Sequence, residues 1–146
     1  MLRVEIRLLD PDLPLPSYAK AGDAGADLVA REAVTLAAGG GRAVVPTGVA
    51  VAIPEGFAGF VLPRSGLAMR HGITCLNAPG LIDAGYRGEV ICAVVNLDPS
   101  TSVEIGVGDR IAQLVIIAVP SVDPAWVEDL PGSVRGEGGF GSTGAS

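Results

Sequence analysis

Apolar and polar positions alternate at period two from the start of the chain: Leu2, Val4, Ile6 and Leu8 fall on one side, Arg3, Glu5 and Arg7 on the other. That alternation predicts a half-buried β-strand. Val49, Val51 and Ile53 repeat the period with alanines between them, until Pro54-Glu55-Gly56 closes the run. Phe57–Leu62, Glu89–Val95, Val103–Ile105 and Ile111–Val119 are further β-branched or aromatic-containing runs bounded by turn residues. Only Ser65–Arg70 offers a helical turn or two, stopped by His71-Gly72. The 21 glycines and 11 prolines oppose long helices. The pattern predicts an all-β fold, a jelly-roll-like barrel or sandwich with one short helix near residues 65–70.

At 146 residues and 49% hydrophobic, the chain has enough apolar material for one core. Composition shifts at Pro131, which divides a β-domain over 1–130 from a flexible, glycine-rich C-terminal arm over 131–146. The last fifteen residues hold six glycines and cannot build a packed core, because glycine buries no side chain. They read either as a loop that wraps a nucleotide or as a disordered linker. No apolar run approaches the roughly 18 residues of a membrane span. The N-terminus lacks the apolar stretch and cleavage site of a signal peptide, so a cytoplasmic protein is expected. Cys75 and Cys92 agree with that placement as buried free thiols; His71 and Cys75 lack the further ligands that a zinc site needs. A net charge of −6 argues against binding nucleic-acid polymers. It leaves room for a small anionic ligand, and nine of the ten basic residues are arginine, whose fork matches phosphate.

Five segments concentrate glycine and polar residues. In Ala21–Leu28, small residues bring the backbone close to something, and Asp27 could orient the water shell of Mg²⁺; a turn-forming Asp is the plainer reading. In Pro63–Ala68, Arg64, Ser65 and Gly66 lie where a strand gives way to the helix, a place suited to phosphate, with Ser65 as a simple N-cap the competing reading. Asn77–Glu89 reads as a hairpin carrying Asn77, Gly80, Ile82, Asp83 and Tyr86. Its backbone can read a flat base, Asp83 can take a proton from water, and Tyr86 can lie against a sugar; an ordinary turn with a rim aromatic would look the same. Arg110 and Gln113 interrupt an otherwise apolar strand, and Gln113 must find polar partners: phosphate, a metal-bound water, or backbone. In the arm, Phe140 can stack on a base, Arg135 can pair with terminal phosphate, and glycine N–H groups with Ser142 and Thr143 can hold phosphate oxygens.

Taken together and in this order, the five segments resemble those of the all-β homotrimeric dUTP diphosphatases (dUTPases), from about Pro16 to Thr143. The resemblance implies a jelly-roll subunit in a homotrimer whose sites lie at subunit contacts, and hydrolysis of dUTP to dUMP and pyrophosphate. That reaction keeps uracil out of DNA and supplies dUMP for dTMP synthesis. The resemblance makes Asp83 the base that activates water and places Asp27 near a Mg²⁺ ion through metal-bound water. Arg64, Ser65, Gly66 and Gln113 would meet phosphate; Asn77, Gly80, Ile82 and Tyr86 would meet uracil and deoxyribose. Arg135, Phe140, Gly141, Ser142 and Thr143 would close over a neighbour's site. It further implies that backbone groups matched to uracil disfavour cytosine, and that a tight floor under C5 rejects thymine.

Three rivals compete. The sister dCTP deaminases carry a catalytic glutamate ten residues beyond the position of Asp83, where this chain has Ala93. A nucleotide-binding regulator without turnover calls for a lesion at Asp27, Arg64 or Asp83, and all three residues are intact. The spacing of Gly136 and Gly141 matches a P-loop, but Ser142 occupies the lysine position.

Overall fold

The computed structural model describes residues 2–134, 136 and 137. Ten strands and one helix follow in order: β1 (Glu5–Leu8), β2 (Ala26–Val29), β3 (Val34–Leu36), β4 (Arg42–Ala52), β5 (Phe57–Pro63), α1 (Ser65–His71), β6 (Ile73–Cys75), β7 (Gly80–Ile82), β8 (Glu89–Asn96), β9 (Val103–Ile105) and β10 (Arg110–Ala118). Two four-stranded sheets, β1-β4-β8-β6 and β2-β10-β5-β7, are joined by a two-stranded ribbon, β3-β9. All the pairings are antiparallel. This is the all-β, jelly-roll-like arrangement expected, with its single short helix in the expected place.

The core lies between the inner faces of the two sheets. β4 and β8 supply Val45, Val49, Val51, Val90, Cys92 and Val94; the other sheet answers with Leu28, Val61, Ile82, Ile111 and Leu114. Each such aliphatic side chain, once buried, contributes about 1.5–3 kcal/mol. The one fully buried amide, Asn96, is satisfied: Nδ2 donates to the carbonyls of Leu36 (3.2 Å) and Thr101 (2.8 Å), and Oδ1 accepts the Asp98 N–H (3.0 Å).

Two departures from the sequence reading matter for the site. The segment Asn77–Glu89 is not a hairpin. β7 pairs with β5 in one sheet, whereas β8 pairs with β4 and β6 in the other. Its turn residues instead carry the chain across the edge of the sandwich. Secondly, Pro46 stands inside β4, where it has no N–H to give, and the β4–β8 register shifts between Pro46 and Ala50. Side chains make up the interrupted ladder: Thr47 Oγ1 donates to the Val90 carbonyl (2.6 Å), and the Gly48 N–H donates to Glu89 Oε1 (2.8 Å). Gly48 takes φ +73° there, a conformation open to glycine.

Beyond Ala118 the described chain has no regular structure, and Trp126 is 88% exposed rather than part of the core. No helix among the described residues is long and apolar enough to cross a membrane.

Candidate active site

The registers of β10 bring together three of the glycine-rich segments. Gln113 stands opposite Asp27 of β2 on one side and Leu62 of β5 on the other. β5 ends at Pro63, so Arg64 emerges beside this row. A cavity of about 300 Å³ results, lined by Ala19, Asp23, Ala24, Gly25, Asp27, Arg64, Ser65, Gly66 and Gln113.

Its polar groups hold one another in place. Arg64 Nε pairs with Asp27 Oδ1 at 2.9 Å, and Arg110 Nη1 donates to Oδ2 at 3.3 Å. Arg64 Nη1 also reaches the Arg110 carbonyl at 3.4 Å. Gln113 Nε2 donates to the Pro63 carbonyl at 3.1 Å, while Oε1 packs over Gly25, in space that a Cβ at residue 25 would occupy. That contact explains the small residues around Asp27. Arg64, not Ser65, occupies the N-cap of α1, with extended backbone and no side-chain cap. The first helical bonds run from the N–H groups of Leu67 and Ala68 to the Arg64 carbonyl (3.1 and 3.0 Å). The peptides of Ser65 and Gly66 precede those bonds and line the cavity, suited to an anion.

A second cavity, of about 200 Å³, is lined by Val61, Asn77, Gly80, Leu81, Ile82, Asp83, Tyr86, Glu89, Val90 and Ile91. Gly80 pairs with Val61, and a Cβ on it would lie 3.3 Å from both Asn77 Nδ2 and Val61 Cβ, so only a glycine sits easily under Asn77. Asp83 is exposed, and its carboxylate has no hydrogen-bond partner among the described residues. The Tyr86 N–H donates to the Asp83 carbonyl (3.0 Å), and the phenol donates to the Glu89 carbonyl (2.9 Å). The phenol folds over Gly88, where a Cβ would collide with it.

The predicted residues thus fall into two groups. Asp27, Arg64, Ser65, Gly66 and Gln113 share the first cavity; Asn77, Gly80, Ile82, Asp83 and Tyr86 share the second; no residue lines both. Arg135, Phe140, Gly141, Ser142 and Thr143 lie outside the described residues. The close approach that the small residues of Ala21–Leu28 signal is met at Gly25 by the Gln113 side chain. The roles of Gly88 and Glu89 carry no such signal in the sequence, because the side chain and peptides they meet are fixed by packing.

The dUTPase family model matches residues 12–144. The chain belongs to the dUTPase family. It is 61% identical over 143 residues to the deoxyuridine 5′-triphosphate nucleotidohydrolase of Thermobifida fusca, covering 98% of this chain and 79% of that protein. Among solved structures, the dUTPase of Staphylococcus bacteriophage 80alpha, bound to dUPNHPP, superposes with a TM-score of 0.91 at 31% identity, over 99% of this chain and 100% of the other. A mutant dUTPase from phage phi11 of S. aureus, described with a structural Mg(II) ion, matches at a TM-score of 0.78 and 28% identity, over 88% of this chain and 98% of the other.

Among the described residues no three His, Cys, Asp or Glu side chains converge as a metal-ligand set. Both Asp27 oxygens face arginines. One carboxylate and one amide oxygen beside a polar cavity fit a Mg²⁺ ion that is bound by phosphate oxygens and water, and touched by protein only through that water.

Proposed function

We propose that the chain hydrolyses dUTP to dUMP and pyrophosphate, with Asp83 as the general base. The observation that carries this reading is the sorting of the motif residues into an arginine-bearing polar cavity and a second cavity with a solvent-facing carboxylate at its rim.

In this reading uracil and deoxyribose enter the cavity of Asn77, Gly80 and Ile82, where backbone groups read the base and Tyr86 packs on the sugar. Asp83 accepts a proton from water as its oxygen bonds to the α-phosphorus. The bond from that phosphorus to the bridging oxygen breaks, and pyrophosphate leaves. General-base catalysis of this kind contributes about 10²–10⁴ in rate. Arg64, Ser65, Gly66 and Gln113 hold triphosphate oxygens, the Arg64 guanidinium already being aimed by Asp27. Asp27 and Gln113 would orient the water shell of a Mg²⁺ ion, which when bound would supply charge neutralisation on the triphosphate. The arm 131–146 closes over the nucleotide, with Phe140 on the base, Arg135 on terminal phosphate, and Gly141, Ser142 and Thr143 on phosphate oxygens.

The same reading, through the family resemblance, makes the enzyme a homotrimer that joins the two cavities across copies. We place it in the cytoplasm, in keeping with two free, buried cysteines. There it keeps uracil out of DNA and supplies dUMP for dTMP synthesis. Deamination of dCTP is disfavoured by Ala93, which has no proton to transfer.

Incubation with dUTP, dCTP, dTTP and UTP plus Mg²⁺, with products separated by chromatography, tests the assignment. Rapid dUMP and pyrophosphate from dUTP alone is the expected result. Ammonia from dCTP, or dUTP binding without product, would overturn it.

A further inference from the structure

We propose that Glu89 is a positioning residue for sugar discrimination: its carboxylate fixes the peptide whose carbonyl holds the Tyr86 phenol. The proposal rests on the reading that Tyr86 packs against deoxyribose.

Glu89 opens β8 opposite Ala50, where the β4–β8 ladder resumes after its register shift. Its side chain adds a further attachment. Oε1 accepts the Gly48 N–H at 2.8 Å, and both carboxylate oxygens lie 3.4 Å from Arg31 Nη1. Each of those partners is itself anchored. The Gly48 carbonyl accepts the Leu9 N–H at 2.7 Å, the Arg31 N–H donates to the Pro46 carbonyl at 2.8 Å, and Arg31 Nε lies 3.8 Å from Asp10. The glutamate side chain is largely shielded, at 23% exposure, which strengthens its attraction to Arg31 relative to open solvent.

On the other side of the same residue, the backbone carbonyl accepts the Tyr86 hydroxyl at 2.9 Å. Tyr86 is otherwise exposed, and Gly88 leaves room beneath its ring without restraining it. The phenol therefore takes its place from the Glu89 carbonyl, and that carbonyl takes its place from the bulge. A ring that excludes a 2′-hydroxyl by overlap must be held firmly, because a side chain that yields by a fraction of an ångström admits the extra oxygen.

The test compares kcat/KM for dUTP and UTP in the full-length protein and in Glu89→Ala, Glu89→Asp and Glu89→Gln. Alanine removes the carboxylate, and aspartate, shorter by one methylene, cannot reach Gly48 and Arg31 together. Glutamine keeps an oxygen for Gly48. The ratio of dUTP to UTP efficiencies is expected to fall at least tenfold in the Ala and Asp variants, chiefly through faster UTP turnover and a higher KM for dUTP. In Glu89→Gln it should stay within about threefold of the parent. The ratio is independent of the fraction of protein folded, so a merely structural role would leave it unchanged, and the Asp variant keeps the test open if the Ala variant fails to fold. An unchanged ratio in the folded Ala or Asp variant, or a Gln variant as impaired as those two, would overturn the proposal while leaving the assigned reaction intact. No dUTP turnover by the parent protein would remove the assigned reaction, and this proposal with it.

Discussion

Arg64 Nε stands 2.9 Å from Asp27 Oδ1, so a residue just past the end of β5 and one in β2 form an ion pair across the strand that separates them. Both side chains are mostly shielded, at 26% and 18% exposure. The pair therefore lies between an exposed ion pair, worth about 0–1 kcal/mol, and a buried one, whose disruption costs about 3–5 kcal/mol. Arg64→Ala is expected to cost roughly 1–3 kcal/mol in denaturant unfolding. In steady-state kinetics it should raise KM for dUTP and lower kcat, because on the proposed reading the charge binds phosphate in the ground state and binds the charge developing on the leaving pyrophosphate more strongly in the transition state. Unchanged kinetics would remove Arg64 from the phosphate site.

The Gln113 amide lies in the space beside Gly25 that a β-carbon would fill. Gly25→Ala must push the amide off the Pro63 carbonyl or move β2. A folded protein with at least a tenfold loss in kcat/KM is expected, by the cost of displacing one positioning group. A variant of normal activity, assayed beside its melting temperature, would show that Gln113 does not need this placement.

Asp83 reaches the solvent with no protein partner among the described residues, so removing its charge disturbs no packing. Asp83→Asn should keep its melting temperature and bind dUTP within several-fold of the parent by calorimetry. Its turnover should fall by about 10²–10⁴. Near-normal turnover would remove Asp83 as the base.

The buried Cys92 thiol has its pKa pushed up to about 12, by loss of hydration first and by the nearby Cys75 second; burial also raises that of Cys75. Because the thiolate is the reactive form, neither thiol should react with a disulfide reagent at pH 8 until the chain is unfolded. The unfolded thiols ionise near 9.0, the folded Cys92 only near 12, so folding stability from this source is complete below about pH 9 and declines as pH rises toward 12. Thiol titration with and without denaturant, and melting temperature against pH, check both parts.

Much of this was legible because it is local. Most of the alternation at Val49–Ile53 falls within β4, which ends at Ala52, the run Ile111–Val119 became most of β10, and Gly72, at φ +64°, ends α1 where the sequence signals a stop. Of the four three-residue strands, β9 was legible as a β-branched run between turns, but β3, β6 and β7 were not, since so short a run carries no period and only its partners make it a strand. Nor was the crossing at Asp83–Gly88: turn residues announce a reversal, but not which sheet receives the next strand. The residue types at the two cavities stood out in the sequence. Glu89 did not, because its role depends on a bulge in β4, forty-one positions earlier at Gly48.

Attack of water on the α-phosphorus and attack on the β-phosphorus give the same two products, so product identity alone does not locate the chemistry. Hydrolysis of dUTP in ¹⁸O-labelled water, followed by mass spectrometry of both products, separates them. With Asp83 directing water to the α-phosphorus, the label must appear in dUMP and be absent from pyrophosphate. Label in pyrophosphate would contradict the account.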